Sequence, residues 1–216
     1  MRPPGSDTAA RTLLQFGPWF VGAGLWAWAK FPERLRWTED VFARIFGLLA
    51  AVYDDWTEAV PGYGDALEEA IEEIRRAPST VLDLATGTGF VARRLKRQFP
   101  EADVIGVDIA PEMIAIAQHD AVAEGLDLKF EIGNLSELPF GDEMFEVVVQ
   151  QNAMPYPDEI MRVLARGGTA LIVFSFAGPW VALAWSAIAE RLERAGAITV
   201  FGRTAGIGFY GLARKT

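Results

Sequence analysis

A glycine-rich turn and a later aspartate carry the clearest chemical signal in the sequence. Gly87 and Gly89 belong to a Gly-x-Gly-x-x-Ala turn that ends at Ala92, after an apolar run and before a helical pattern. Asp108 lies 21 residues beyond Gly87, at the end of the next apolar run. Such a turn lets the backbone approach a ligand closely, and an acidic residue at this spacing accepts hydrogen bonds from both hydroxyls of a ribose. The pair predicts a nucleotide-type cofactor, and nicotinamide, flavin and S-adenosylmethionine proteins all share it.

A second carboxylate narrows the choice of cofactor. Asp83 lies inside the first apolar run, four residues before Gly87, close to where a dinucleotide enzyme places its pyrophosphate on a helix N-terminus. A carboxylate there repels a pyrophosphate, whereas it stabilises the α-ammonium and sulfonium cations of S-adenosylmethionine. The chemistry therefore favours the methyl donor. Asp83 can also cap the glycine turn by accepting hydrogen bonds from backbone N–H groups, and the two roles are compatible.

These residues require strands that end at one edge of a sheet. After Pro78 the chain alternates Val- and Ile-rich runs with helical patterns, and neither an internal repeat nor a low-complexity linker interrupts them. Predicted strands cover residues 80–85, 102–108, 128–132, 145–150, 169–175, 198–203 and 208–214. Predicted helices cover residues 90–99, 111–124, 157–164 and 179–195. Repeated strand–helix–strand units predict an α/β fold with a parallel sheet, helices on both faces, and ligands beyond the carboxyl ends of the strands.

Two helices are predicted before this core. Thr38 is suited to cap the first, whose apolar positions recur at helical spacing to about residues 53–54, and the second covers residues 65–77. An uncharged stretch with three tryptophans, residues 12–29, precedes both. It is short and interrupted for a membrane span, so an interfacial segment and a lid packed on the protein or on a second subunit are the leading alternatives. The small residues at its end also resemble a signal-peptide cleavage site.

Composition excludes several classes of function. The formal net charge of −9 argues against a nucleic-acid binder, which needs a basic face. The absence of cysteine excludes disulfides, thiolate metal sites and a cysteine nucleophile, and a single histidine excludes multi-histidine metal sites. That residue, His119, falls late in a predicted helix, away from the strand ends, so we expect it on the surface. No metal is expected.

Five segments together resemble the motifs of class I S-adenosylmethionine-dependent methyltransferases. In order, they are residues 81–89 (VLDLATGTG), 107–113 (VDIAPEM), 133–134 with 138–140, 145–149 (FEVVV) and 162–168. They follow the family's order and spacing across residues 78–175. The nearest branch comprises the ubiquinone and menaquinone C-methyltransferases and bacterial phospholipid N-methyltransferases, which also carry a Tyr-Asp pair like Tyr53 and Asp54 before the core. The resemblance implies a Rossmann-like, seven-stranded, mostly parallel sheet with an N-terminal helical extension.

The sequence departs from the family's pattern at three places. Ala85 replaces the family's first glycine, a change that also occurs in the quinone branch and that requires only a backbone angle open to residues other than glycine. Asn134 replaces the aspartate that binds the adenine amino group, and it still offers a side-chain oxygen as acceptor but no charge. Residues 154–156 replace the histidine pair that often follows strand four.

The resemblance implies a binding role for each matching position. The methionine part of the donor is expected at Asp83 and the glycine turn, the ribose at Asp108, and the adenine beside Asn134. The full predicted set is Tyr53, Asp83, Ala85, Thr86, Gly87, Gly89, Asp108, Ile109, Met113, Asn134, Leu135 and Gln150. For Ile109, Met113 and Leu135, core packing is an equal alternative. No catalytic residue is assigned, because the sulfonium already activates the methyl group and the protein mainly has to hold a nucleophile in line.

These observations predict an S-adenosylmethionine-dependent methyltransferase that acts on a small, lipophilic or membrane-presented acceptor. The alternatives are an NAD-dependent oxidoreductase with the same glycine turn and a non-catalytic S-adenosylmethionine-binding protein. Residues 1–60 are expected to form a helical lid or membrane-proximal segment, with contact to a membrane surface through residues 12–52, and residues 61–216 the methyltransferase domain. Because the donor is made in the cytosol, a cytoplasmic location is expected, with or without membrane association, and a homodimer is compatible with the composition.

Overall fold

The computed structural model describes residues 38–177 and 179–216. These residues form one seven-stranded sheet in the order β3-β2-β1-β4-β5-β7-β6. The strands β1 to β5 run parallel, and β7 pairs antiparallel with both β5 and β6. The predicted Rossmann-like, mostly parallel sheet with an N-terminal helix is confirmed.

The elements of the described residues are numbered here in chain order. The helices are α1 (Thr38–Glu58), α2 (Asp65–Glu72), α3 (Phe90–Gln98), α4 (Pro111–Ala123), α5 (Pro157–Val163) and α6 (Pro179–Arg194). The strands are β1 (Thr80–Leu84), β2 (Asp103–Asp108), β3 (Lys129–Ile132), β4 (Phe145–Gln151), β5 (Leu164–Phe174), β6 (Ala197–Ala205) and β7 (Gly208–Lys215).

Two apolar layers sandwich the sheet. In β1, Val81 packs into a core with residues of α2, α3 and α4, whereas Leu82 and Leu84 pack into a core with residues of α5 and α6. Successive side chains of a strand point to opposite faces, so a strand buried on both faces reads as a continuous apolar run. This is why β1, β4 and β5 are the most apolar segments, and why Asp83 stands out among them.

Several predicted boundaries were wrong. The helix expected over residues 65–77 ends at Glu72, because Ile71 is its last buried residue and the N–H of Glu73 already turns back to the carbonyl of Ala70. The first helix runs to Glu58, about one turn beyond the expected end. Strand β5 begins at Leu164 rather than Thr169, because residues 165–168 bulge out of register with β4.

No helix among the described residues is long and apolar enough to cross a membrane. The tryptophan-rich stretch at residues 12–29 lies outside the described residues, as does the start of the predicted membrane contact. Within the described part, α1 packs against α4 through Ala50, Phe46 and Tyr53 on one side and Ala110 and Met113 on the other. The boundary predicted at residue 60 stays a prediction.

Candidate functional site

The turn between β1 and α3 depends on glycine. Gly87 and Gly89 have φ angles of +54° and +83°, in the left-handed region that favours glycine. A Cβ atom on Gly89 would lie 3.1 Å from both the Cβ atom of Ala117 and the ring of Phe130. The turn therefore packs tightly against α4 and β3, and its backbone is fixed in place at the carboxyl edge of the sheet.

Ala85 adopts a left-handed backbone conformation. Its φ angle is +54°, in a region that favours glycine but that residues other than glycine can adopt, so the sequence-based expectation is not contradicted. Alanine is tolerated in this left-handed region at a cost of about 1–2 kcal/mol, because Cβ approaches the following carbonyl oxygen. The position therefore keeps a glycine-like conformation without glycine.

Asp108 holds the glycine turn from the neighbouring strand. Its Oδ2 atom accepts a hydrogen bond from the N–H of Gly87 at 2.9 Å, and its Oδ1 atom accepts one from the N–H of Ala110 at 2.9 Å. Burial raises the pKa of this carboxyl above its usual range, while the backbone donors oppose the shift. The N–H of Ile109 is a third backbone donor to this carboxylate, which has about four acceptor positions in all. A ribose hydroxyl beside the turn is a suitable donor to the position that remains.

Asp83 lies beneath the same turn and is completely buried. Its Oδ2 atom accepts hydrogen bonds from the hydroxyl of Thr86 at 2.5 Å and from the N–H of Ala92 at 3.0 Å. The capping role is therefore present in the structure. Its Oδ1 atom is buried and accepts no hydrogen bond from the described residues. Desolvation, and to a smaller extent the charge of Asp108, raises the pKa of Asp83 to about 7. An unsatisfied buried carboxylate oxygen is suited to a cationic ligand group.

Gln150 lies one residue before the end of the neighbouring strand β4, at the register position of Leu84. Its Nε2 atom donates to the carbonyl of Ala153 at 2.7 Å, while its buried Oε1 atom has no donor among the described residues. Register places Gln150 on the opposite face of the sheet from Asp83. The two unpaired acceptors thus flank the carboxyl ends of β1 and β4, rather than converging on one atom.

The predicted adenine-side residues lie around the β2–α4 and β3 loops. Met113 is buried beneath α1, Ile109 is half-buried, and Leu135 packs against the core that contains α5 and α6. Asn134 is already engaged: its side-chain oxygen accepts hydrogen bonds from the N–H and the hydroxyl of Ser136, both at 2.9 Å. An adenine amino group would therefore compete with Ser136 for this oxygen. The individual binding roles stay predictions.

Helix α1 passes over the glycine turn. The hydroxyl of Thr88 donates to the carboxylate of Asp54, and the guanidinium of Arg93 lies 3.6 Å from the same carboxylate. Arg93 is almost fully buried and also contacts Asp120 and Glu124, at 3.4 and 3.3 Å. Sequence reasoning missed this cluster, because no motif indicates that carboxylates from α1 and α4 meet one arginine.

A chain of aromatic rings extends from α1 across the same edge. Neighbouring rings have centroids 6.1–6.5 Å apart, mostly in edge-to-face orientation. The rings are those of Phe46, Tyr53, Trp56, Tyr63, Phe90 and Phe176. The hydroxyl oxygens of Tyr53 and Tyr63 lie 3.2 Å apart, and burial followed by the neighbouring Tyr63 raises the pKa of Tyr53 well above its usual value. Tyr53 is therefore a neutral, packed hydroxyl at this edge.

Asn152, which the sequence-based site omitted, ties this cluster to the sheet. It follows β4 with a φ angle of +55°, and its Nδ2 atom donates to the hydroxyls of Tyr63 at 2.8 Å and Ser175 at 3.0 Å. Its Oδ1 atom accepts from the N–H of Ser175 at 2.8 Å. Asparagine tolerates left-handed angles better than most residues. An asparagine directly after a predicted strand is therefore the one feature of the sequence that could have indicated a role for Asn152.

Two further expectations concern histidine and metals. The side chain of His119 is 79% exposed on α4, as expected for a surface residue. Across residues 38–177 and 179–216, no group of three or more histidine, aspartate or glutamate side chains is arranged to hold a metal ion.

Comparisons with known proteins agree with this geometry. Residues 81–168 match the family described as "Methyltransferase domain". The chain is 42% identical over 113 residues to the demethylmenaquinone methyltransferase of Thermus thermophilus, covering 49% of this chain and 51% of that protein. It is 31% identical over 143 residues to the ubiquinone/menaquinone biosynthesis C-methyltransferase UbiE of Dinoroseobacter shibae, covering 60% and 56%. These matches span about half the length of the curated relatives.

A solved structure shares the fold. The crystal structure of a SAM dependent methyltransferase from Aquifex aeolicus superposes with a TM-score of 0.58 at 19% identity, covering 71% of this chain and 93% of that one. At this identity the likeness concerns the fold alone.

Proposed function

We propose that this chain is a class I S-adenosylmethionine-dependent methyltransferase that methylates a small lipophilic acceptor by in-line displacement. Residues 81–168 match a family described as "Methyltransferase domain", and the relatives include quinone methyltransferases. The observation that best supports binding of the methyl donor is the buried, unpaired Oδ1 atom of Asp83. It lies beneath a glycine turn whose backbone Asp108 holds by a hydrogen bond. Neither alternative, an NAD-dependent oxidoreductase or a non-catalytic binding protein, is supported by the family match or the relatives.

The residues at the carboxyl edge fit the donor. Asp83 offers an acceptor to the α-ammonium group, and Asp108 offers an acceptor position to a ribose hydroxyl. S-adenosylmethionine supplies an electrophilic methyl group when it is bound. The glycine turn brings the backbone close to the ligand, and Thr86 keeps Asp83 oriented through its hydroxyl.

The residues above the donor position shape the acceptor side. Helix α1 and the aromatic rings of Trp56, Tyr63 and Phe176 cover the edge where β4 and β5 end. Asn152 and Ser175 hold Tyr63 in place by hydrogen bonds. This arrangement orients an acceptor by packing and excludes water, which suits a flat apolar molecule. Effective in-line transfer needs reacting atoms held at about 3–3.5 Å, so positioning is the main task of these residues.

An apolar stripe on α1 supports a lipophilic acceptor presented at a membrane. We define the stripe as Val41, Ile45, Leu48, Leu49 and Val52, which recur at helical spacing and are all exposed. The side chain of Leu48 is 86% exposed and that of Val52 54%. Contiguous exposed apolar surface marks a binding face. The stripe lies on the helix that covers the site, and the names of two relatives include menaquinone or its demethylated form.

Methyl transfer from radiolabelled S-adenosylmethionine tests the proposal. The full chain is assayed with a reduced quinone nucleus that carries a polyprenyl tail, with the same nucleus lacking the tail, and with small water-soluble amines. Transfer to the tailed quinol at a higher rate than to the tailless one supports the proposed acceptor class. Transfer only to water-soluble acceptors would overturn the lipophilic assignment, and S-adenosylhomocysteine binding without transfer to any acceptor would overturn the enzymatic one.

A further inference from the structure

A cavity opens at the edge of the sheet opposite to the predicted methyl-donor residues. Its volume is about 390 Å³, and it lies between the segment that precedes β1, the amino ends of β4 and β5, and the carboxyl end of β7. The methyl-donor residues lie at the carboxyl ends of the parallel strands, so the two sites are separated by the length of the strands. The proposed methyl transfer therefore does not use this cavity.

The cavity is basic although the protein is acidic. Four arginines line it, Arg75, Arg76, Arg166 and Arg214, and Glu146 is the one carboxylate among its lining residues. The whole chain carries a formal charge of −9, so this concentration of positive charge is local. Such a cluster attracts anions, and guanidinium groups match the geometry of phosphate oxygens with paired N–H donors.

Most of this positive charge is not neutralised within the described residues. Arg75 and Arg76 are exposed and form no ion pair among the described residues. Arg214 donates to the backbone carbonyl of Glu73 at 3.4 Å. Arg166 lies 3.3 Å from Glu143, but that guanidinium is 77% exposed, so the pair is weak. Glu146 is engaged with the N–H of Ser79 at 2.7 Å. The arginines therefore keep donors for a ligand.

A backbone irregularity forms one wall of the cavity. Residues 165–168 have no register partner on β4, because the pairing moves from Leu164 directly to Thr169. Gly167 adopts a φ angle of +76° with open space around its Cβ position, and Gly168 approaches the carbonyl of Glu146 so closely that a Cβ would lie 2.9 Å away. Arg166, Gly167 and Gly168 of this bulge all line the cavity.

We propose that this cavity is a binding site for the phosphate group of a phosphomonoester, held by Arg75, Arg214 and their neighbours. The volume exceeds that of one phosphate ion, which leaves room for the group that the phosphate is attached to. A dianionic phosphate satisfies several guanidinium donors at once, whereas a single carboxylate satisfies fewer. The site faces away from the apolar stripe of α1, so one flat membrane cannot contact both, which favours a soluble ligand over a lipid headgroup.

Binding of glycerol 3-phosphate and of inorganic phosphate to the full chain tests this site by calorimetry and ³¹P NMR line broadening, in sodium chloride of matched ionic strength. The variants are Arg75→Gln and Arg214→Gln. Lys129→Gln is the matched control, because it removes one positive charge from a residue on β3, three strands from β4. Loss of one charged hydrogen-bond donor is expected to weaken binding about tenfold in each arginine variant and to leave the control within about twofold.

Each result decides the proposal. Saturable binding by the unmodified chain that both arginine variants weaken supports the phosphate site. If one variant fails to fold, the other variant is compared with the unmodified chain by ³¹P NMR line broadening. A parallel arm with vesicles of phosphatidylglycerol or of uncharged phosphatidylcholine identifies the source: arginine-dependent binding to the anionic vesicles alone assigns the phosphate to a lipid headgroup. Absence of binding in every arm, or equal weakening by Lys129→Gln, overturns the site.

Discussion

The hydroxyl of Thr88, in the glycine turn, donates a hydrogen bond to the carboxylate of Asp54, on α1. The same carboxylate lies near the buried guanidinium of Arg93. Helix α1 and the donor-binding turn are thereby joined by side chains 34 residues apart in the sequence. Helix α1, which bears the apolar stripe, is thus connected to the donor-binding turn by a hydrogen bond and an ion pair.

Removing this connection should weaken donor binding. We expect Asp54→Ala to raise the dissociation constant of S-adenosylhomocysteine about fivefold. The hydrogen bond from Thr88 to the charged carboxylate of Asp54 is lost, and the effect is modest because that carboxylate is partly exposed. Hydrogen exchange should also speed up in residues 50–58. Asp55→Ala is the matched control, because Asp55 is the exposed neighbour on the same helix. Equal effects of the two substitutions would show that α1 matters only as a helix.

Asp108 should be needed for donor binding, which we measure as the ligand-induced shift of each variant relative to its own ligand-free form. With S-adenosylhomocysteine at about 100 times its dissociation constant, the free energy of unfolding should rise by roughly 2.7 kcal/mol. We expect Asp108→Ala to remove most of the resulting shift in melting temperature. Asp103→Ala, at the exposed start of the same strand, should keep it. NADH serves as the comparator ligand, and a shift with NADH alone would contradict the assignment of the cofactor.

The pKa of Asp83 should make stability pH-dependent in a defined direction. Because its pKa rises from 3.8 to about 7 on folding, the folded state binds more protons than the unfolded state between these values. The stability that the neutral acid provides is fully present below pH 4 and is lost as pH rises through 7. We expect Asp83→Asn to remove this loss. Between pH 5 and pH 8, the free energy of unfolding of the variant should therefore rise by about 1 kcal/mol or more relative to that of the parent. Urea unfolding at both pH values measures it, and a constant difference would refute the shift.

Donor binding should report on the same carboxylate. A cationic ligand group beside Asp83 favours its ionised form, so binding should release a proton near pH 7. Calorimetry in two buffers of different ionisation enthalpy detects that proton, and Asp83→Asn should abolish its release. Proton uptake on binding would contradict the proposed contact.

The left-handed angle of Ala85 predicts an unusual stabilising substitution. Ala85→Gly should raise the free energy of unfolding by about 0.5–1 kcal/mol, because relief of the strain outweighs the extra freedom of glycine in the unfolded chain. Ala115→Gly, at an exposed position of α4, should lower it by about 1 kcal/mol. Chemical denaturation compares them, and destabilisation by both would mean that Ala85 is not strained.

The apolar stripe should govern membrane association of the full chain. We expect Leu48→Gln with Val52→Gln to lower the partition constant for anionic liposomes, measured by co-sedimentation, by about a hundredfold or more, since each buried apolar side chain contributes about 1.5–3 kcal/mol. Val122→Gln with Ile198→Gln replaces two equally exposed apolar residues elsewhere and should have little effect. Sedimentation velocity tests whether the stripe instead contacts a second copy of the chain. A dimer that dissociates in the Leu48→Gln, Val52→Gln variant would assign the stripe to a dimer interface.

The fold was predictable because its signals are local. Continuous apolar runs, proline and glycine boundaries and their alternation identify β1 to β5 and the helices between them, and the glycine turn with Asp108 locates the donor site. The wrong boundaries have tertiary causes. The bulge at residues 165–168 depends on how β5 meets β4, and the early end of α2 depends on which of its residues reach the core.

The rest of the site could not be read from the sequence, because it depends on contacts between distant segments. Asn152 meets Tyr63 across 89 residues, and Arg93 collects carboxylates from α1 and α4. No spacing rule predicts such pairs. The side chain of Asn134 likewise turned to Ser136, which a comparison of motifs alone does not reveal.

The place of β7 in the sheet has a consequence for the order of assembly. Among the described strands, β6 pairs only with β7, yet β7 follows it in the chain. During synthesis, β6 is therefore made before the strand with which it pairs. The two-residue turn at Gly206 and Ile207 lets both strands form a hairpin locally, which then joins β5 through the free side of β7. Attachment of β6 to the rest of the sheet thus depends on β7, the strand that follows it in the chain.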